Sequence, residues 1–213
     1  MFKRQAHDHQ KKHMEGVHNA KRYLEKVRSY SEERYSAFFK RMDDLSPRGK
    51  LLEVGSGPGN LSVLVSRRYP KTDITALEVS SDMVNVGKEY LANYPEKSRI
   101  EFVLGDVCNE ADMNNPGSYD LIYSAYALHH WHDPEAALRN MVKALNPGGV
   151  CYILDFRRIW CAYFPLFFKG PIHAMKASFT ARELRVMVEK MGISNYQLIK
   201  ESPPYMQSLI IRK

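Results

Sequence analysis

A doubly wound α/β sheet is the fold this sequence predicts, and three observations carry it. Short apolar runs alternate with stretches of helical periodicity about ten residues long or more. The first of those runs, Leu51 to Val54, stops in a glycine-spaced turn that leads straight into a helical pattern. Carboxylates recur where successive runs end, which is where an open parallel sheet forms its ligand crevice.

Two helices precede the first strand. From about His13 to Arg28 the apolar positions Val17, Ala20, Leu24 and Val27 share one face. Ser31, with Glu32 and Glu33 behind it, reads as the N-cap of the second helix, whose stripe is Tyr35, Phe38, Phe39, Met42 and Leu45. Ser46-Pro47-Arg48-Gly49 ends it. Residues 1–46 are thus expected to form a helical cap, and residues 47–213 the main domain.

The turn Gly55-Ser56-Gly57-Pro58-Gly59-Asn60 has the spacing G-x-G-x-G. Glycine suits a turn that needs positive φ and close approach of a ligand to the backbone, and the helix that follows turns its N-terminus to the same place. A dinucleotide fingerprint would carry a further Gly or Ala where Asn60 stands. Beyond it the expected strands are Asp73–Leu77 ending in Glu78, Ile100–Leu104 ending at Gly105-Asp106, Tyr119–Tyr123, and Val150–Asp155. Helices fall between them, from near Asp82 and from Asp133-Pro134, the latter stopped by Asn146-Pro147-Gly148-Gly149. Thr180-Ala181-Arg182-Glu183 is a capping box opening a late helix, and strands near Ser194–Lys200 and Met206–Arg212 close the chain. Residues 156–178 break the rhythm with a run dense in aromatics and bases and without an acid.

Composition is that of a soluble globular protein of 213 residues, with no apolar run long enough to span a bilayer and no visible secretory leader. Three cysteines, Cys108, Cys151 and Cys161, argue for a reducing compartment, so a cytoplasmic location is expected. The net charge of +7 is uneven. Residues 1–28 carry eight Lys/Arg against three Asp/Glu, whereas residues 29–155 carry thirteen against eighteen. Basic flanks around an acidic centre suit an anionic substrate, nucleic acid, a membrane surface, or simply a solvated helix. His7, His9, His13 and His18 lack a cysteine partner nearby, and no metal site is expected.

Leu51-Leu52-Glu53-Val54-Gly55-Ser56-Gly57-Pro58-Gly59 resembles motif I of the class I S-adenosylmethionine-dependent methyltransferases. The resemblance implies a Rossmann-like sheet of seven strands, mostly parallel with an antiparallel last strand. It also implies S-adenosyl-L-methionine as cofactor, with S-adenosylhomocysteine as product. Glu53 would repel a phosphate but suits a ligand that carries a sulfonium and an amino acid moiety. Glu78, twenty-three residues after Gly55, is placed on the ribose hydroxyls. Asp106, followed by Val107, is placed on the adenine amino group. Met83 falls either on the adenine face or in the core, and Ser124 ends the fourth strand. The cofactor-binding set is then Glu53, Gly55, Gly57, Gly59, Glu78, Met83, Asp106, Val107 and Ser124.

Asp120 to Pro134, with Lys143-Ala144-Leu145-Asn146-Pro147-Gly148-Gly149, is similar to the small-molecule branch that includes the ubiquinone/menaquinone biosynthesis methyltransferases. Ser124-Ala125-Tyr126-Ala127 stands where nucleic-acid N-methyltransferases have an Asn/Asp-Pro-Pro-aromatic motif. The expected acceptor is therefore a small apolar or aromatic molecule. RNA methylation and silent cofactor binding are the alternatives. Methyl transfer needs a base only when the acceptor carries a proton to lose. His129 and His130 are the candidates for that base and Tyr126 for orienting the acceptor; a loop-pinning role suits either histidine equally. In the 156–178 insert, Arg157 and Arg158 are candidates for an anionic group. Trp160, Tyr163, Phe164, Phe167 and Phe168 are candidates for an apolar lid, a peripheral membrane contact or a subunit interface. Monomer and homodimer are both compatible with the sequence.

Overall fold

The computed structural model describes residues 3–5, 16–114, 118–163 and 171–213. Seven strands form one sheet: β1 (Gly49–Val54), β2 (Thr72–Glu78), β3 (Ile100–Leu104), β4 (Tyr119–Ala125), β5 (Leu145–Phe156), β6 (Tyr196–Lys200) and β7 (Met206–Arg212). Their order is β3-β2-β1-β4-β5-β7-β6. The first five run parallel, and β7 lies antiparallel between β5 and β6. The order reverses direction between β1 and β4, so the crevice of this α/β sheet opens at the C-terminal ends of those strands.

Among the described residues the α-helices are α1 (Val17–Val27), α2 (Ser36–Leu45), α3 (Asn60–Arg68), α4 (Ser81–Leu91), α5 (Glu110–Asn114), α6 (Pro134–Ala144), α7 (Ile172–Ala177) and α8 (Ala181–Lys190). Side chains alternate across each strand, which divides the core in two. Leu52, Val54, Ile122 and Ile153 pack on one face with Leu138 and Met141 of α6 and Leu184 and Val188 of α8. Leu51, Leu121, Tyr123 and Tyr152 pack on the other with Phe38 and Met42 of α2 and Leu61 and Val65 of α3. Phe38 is fully buried, its ring 5.5 Å from Tyr123 and stacked 5.3 Å from Tyr152.

Two local expectations are revised. The segment expected as the first turn of the second helix forms turns instead, and α2 begins at Ser36 with Tyr35 before it and no side-chain cap. Tyr35 draws the segment down, since its ring meets Tyr30 and Tyr126 and its hydroxyl accepts from Asn60 Nδ2 at 3.3 Å. Asn146 to Gly149 continues β5 with a register shift against β4 rather than stopping before it. The 156–178 insert gives a short turn at Trp160–Tyr163 and then α7; Phe164, Phe167 and Phe168 fall outside the described residues, as do His7, His9 and His13. The Thr180 capping box forms with both of its reciprocal hydrogen bonds.

The N-terminal helices are fixed to the domain by polar contacts as well as by packing. Arg41 Nε and Nη2 donate to Glu201 Oε1 and Oε2 at 2.8 and 3.3 Å, and Ser208 Oγ also donates to Oε1. The Glu201 side chain is only 5% exposed. Removing the guanidinium therefore leaves a buried carboxylate short of its counter-charge, the costly way to break such a pair. Arg41→Ala is expected to lower unfolding stability by about 3 kcal/mol, read from urea denaturation against Lys40→Ala as an exposed control on the same helix.

Candidate active site

The glycine turn is built by φ angles that favour glycine: +73° at Gly55, +56° at Gly57 and +79° at Gly59. Gly59 also has no room for a side chain, because an added Cβ would lie 2.5 Å from the Phe102 ring. Leu77 O at the end of β2 accepts from Gly55 N and Ser56 N.

Glu78 completes the turn. Its Oε2 accepts from Gly57 N at 2.8 Å and its Oε1 from Ser80 N at 3.0 Å. Burial raises its pKa, while the backbone N–H donors of Ser80, Gly57 and Val79 oppose the rise. A carboxylate has about four lone-pair directions, so these backbone donors do not exhaust its acceptor capacity. Asp106 lies at the end of β3, the strand next to β2. Its N–H donates to Asp112 Oδ2 and its Oδ1 accepts from Cys108 N, both at 2.9 Å.

Other expected residues take structural positions. Glu53 points away from the turn into the core, where Oε2 accepts from Ser62 Oγ at 2.5 Å and from Tyr123 O–H at 3.0 Å. Alternation along β1 puts it on the α3 face, directly beside Tyr123 in register. Met83 is fully buried in the seam that Ala20 and Leu24 of α1 make with Val86 of α4. Ser124 Oγ donates to Val54 O at 2.8 Å, stitching β4 to β1. Val107 is buried, and Asn140 Nδ2 donates to its carbonyl.

On the far side of the turn, His129 is buried and its Nδ1 lies 2.7 Å from Asp155 Oδ1. His129 N–H donates to Asp155 Oδ2 at 2.8 Å, so the carboxylate holds both backbone and ring. The His130 ring centroid is 3.9 Å from that of His129. Tyr126 takes φ +61°, an uncommon conformation for a non-glycine residue. It is held there by Tyr126 N–H to Leu154 O and by its ring contacts with Tyr35 and Phe156. Desolvation pushes its phenol up to about 12.

The basic insert divides. Arg158 is buried and donates to Ser178 O and to Glu183, so it anchors the start of α8; the anion-binding role expected of it does not match these surroundings. Arg157 Nη2 donates to Pro204 O. Trp160 is 68% exposed, and Tyr163 O–H donates to Lys3 O.

Several site residues have no signature in the sequence. Tyr23 of α1 covers the turn, its ring 3.6 Å from where a Gly57 Cβ would stand, and α1 is fastened by Gly16 N–H to Asp82 Oδ2 at 2.8 Å. Desolvation, with Tyr30 and Glu78 close by, pushes the Tyr23 phenol up to about 12. Arg4 donates to Ala177 O and to His129 O and sits over the Phe179 ring. A cavity of about 550 Å³ lined by residues including Arg28, Glu32, Asn60 and Tyr94 contains none of the strand-end carboxylates, so the site is defined by the strand ends instead.

Comparison with known proteins bears on the fold and the family. Residues 51–149 match the family model described as a methyltransferase domain. The chain has the class I methyltransferase fold, built around that domain. It is 28% identical over 136 residues to the ubiquinone/menaquinone biosynthesis C-methyltransferase of Geotalea daltonii, covering 63% of this chain and 57% of the relative. The counterpart from Xanthomonas oryzae is 26% identical over 61% of this chain and 51% of its own. The chain thus spans about half the length of these curated relatives. Among solved structures, a SAM-dependent methyltransferase from Aquifex aeolicus superposes with a TM-score of 0.69 at 18% identity, over 93% of this chain and 98% of that one. The matched segment of the methyltransferase domain contains the glycine turn, Glu78, Asp106, Tyr126 and both histidines, whereas Asp155 lies beyond it.

Beneath that turn the buried Glu53 carboxyl titrates at about 7, raised from an ordinary value of 4.5 by desolvation first, with Ser62 and Tyr123 opposing. The folded state therefore holds this proton to a higher pH than the unfolded chain does. Glu53 favours the fold most below about pH 4.5, and that advantage is lost as pH rises through about 7. The shift corresponds to about 3 kcal/mol. Glu53→Gln is expected to remove this component, so the stability difference between wild type and variant should decline from pH 4.5 to 7 in parallel urea titrations.

Proposed function

We propose that this chain is an S-adenosyl-L-methionine-dependent methyltransferase acting on a small-molecule acceptor. The observation that carries the proposal is the pair of carboxylates at neighbouring strand ends, Glu78 and Asp106, set against a side-chain-free glycine turn. The residues fit such a cofactor. Glu78 would hold the ribose hydroxyls, Asp106 the adenine amino group, and the backbone around Gly55 and Gly57 the amino acid part, with Tyr23 as the cover. When bound, the cofactor supplies a methyl group already activated on a sulfonium.

The chain's own part is to orient the acceptor and keep water away. Tyr126, Phe156 and His130 give an aromatic wall around His129. Asp155 accepts two backbone N–H bonds, from His129 and Phe156, and lies against the His129 ring. The contact between Asp155 and Nδ1 orients the His129 ring. A hydroxyl, thiol or ammonium acceptor would need a base, and the histidine pair His129 and His130 is the candidate for it. The small-molecule relatives favour this reading over a nucleic-acid substrate. Among the described residues no helix is long and apolar enough to cross a membrane.

Calorimetry with S-adenosylhomocysteine is expected to show binding to wild type and at least about tenfold weaker binding to Glu78→Ala, since loss of a charged hydrogen-bond partner costs about 1.5–3 kcal/mol. Equal affinities would overturn the ribose assignment. Incubating cell extract with methyl-labelled cofactor should place label in the small-molecule fraction; label confined to RNA, or none transferred, would refute the acceptor class.

A further inference from the structure

The loops that follow β3 and β4 bring together three side chains of mixed donor type. Asp106 Oδ2 lies 3.7 Å from His132 Nδ1, and one donor atom from each of Asp106, Cys108 and His132 lies within 4.8 Å of the other two. Donor atoms in a tetrahedral zinc site, at bond lengths of about 2.0–2.3 Å, are separated by roughly 3.3–3.8 Å. Only a small inward movement closes the set, and the 64%-exposed His132 side chain is free to swing.

The three are also held from behind. Cys108 N–H donates to Asp106 Oδ1, which leaves Oδ2 as the oxygen near His132. Cys108 Sγ contacts Asp133 O at 3.4 Å, so the thiol is directed toward the β4 side of the gap, next to His132. The carboxylate of Asp112 accepts from Asp106 N, and the Asp133 carboxylate caps α6 beside the same gap. Among the described residues, Lys143 of α6 pairs with Glu110 and not with these acids. The gap is therefore rich in negative potential.

We propose that Asp106, Cys108 and His132 form a binding site for a borderline-soft divalent cation of the zinc type, at the adenosine end of the crevice. One sulfur, one imidazole nitrogen and one carboxylate oxygen make a donor set that prefers zinc or cobalt over magnesium or calcium. Binding replaces the Cys108 thiol proton, which passes to solvent. Thiolate and carboxylate together balance the two positive charges, and water completes the coordination. A cation there engages Asp106 Oδ2, so metal and nucleoside compete for one carboxylate. That consequence rests on the proposed role of Asp106 toward adenine; the metal site does not.

The test is a cobalt(II) titration of the full chain followed by absorption spectroscopy. A thiolate-to-cobalt charge-transfer band is expected in wild type and in Cys161→Ser, and is expected to vanish in Cys108→Ser. His132→Ala should weaken zinc binding at least about tenfold, because even outer-shell changes cost 10–100-fold. Binding confined to the histidines of the N-terminal segment would give no thiolate band. That result, or equal zinc affinity in wild type and Cys108→Ser, overturns the site. Saturating zinc should weaken S-adenosylhomocysteine binding at least about tenfold; unchanged affinity refutes the competition. If S-adenosylhomocysteine does not bind at all, the methyltransferase reading fails while the cobalt spectrum still decides the metal site.

Discussion

The Glu78 carboxylate is the contact on which the rest of the site depends. By accepting from Gly57 and Ser80 it ties the glycine turn to the end of β2 and to the start of α4. Three consecutive features, turn, strand end and helix N-terminus, are thereby fixed relative to one another by one side chain. Burial makes this carboxylate costly to ionise unless such donors surround it, and the backbone supplies them. A ligand hydroxyl entering the crevice meets an acceptor already oriented, which is how preorganisation limits the cost of binding.

Around that contact the sheet separates two jobs. The α3 face carries structure: Glu53, Ser62 and Tyr123 share a buried polar cluster directly below the turn, and Phe38 lies between the Tyr123 and Tyr152 rings. The strand ends carry the residues of the proposed site: Glu78 and Asp106 on one side of the switch point, Tyr126 and the His129–Asp155 pair on the other. The N-terminal helices belong to both. Phe38 and Met42 of α2 fill the core, while Asn60 Nδ2 reaches Val27 O and the Tyr35 hydroxyl, and so couples the entry of α3 to α1 and to the segment before α2. Tyr23 then lies across Gly57 as a consequence of how α1 packs on α4.

The positions legible from the sequence are those whose evidence is local. The glycine spacing, the ends of β2 and β3, the caps at Asp133 and Thr180, and the two-layered helix pattern all follow from periodicity and short-range backbone chemistry. The antiparallel last strand came from resemblance rather than pattern, since nothing in the apolar run of β7 distinguishes its direction. Side-chain sidedness was harder. Glu53 stands next to the glycines in sequence, yet strand alternation turns its carboxylate into the core.

By itself, then, the sequence determined the elements, their alternation and the glycine turn, because each depends on residues within a few positions of one another. Tertiary structure alone decided which long-range partners meet. Asp155 holds His129 across 26 residues, Arg158 is spent on Glu183 rather than offered to an anion, and Cys108 after β3 comes close to His132 after β4, with β2 and β1 between those strands in the sheet. Those pairings are set by strand order and register, and a buried charge or a ligand set takes its chemistry from the partner that the topology brings to it.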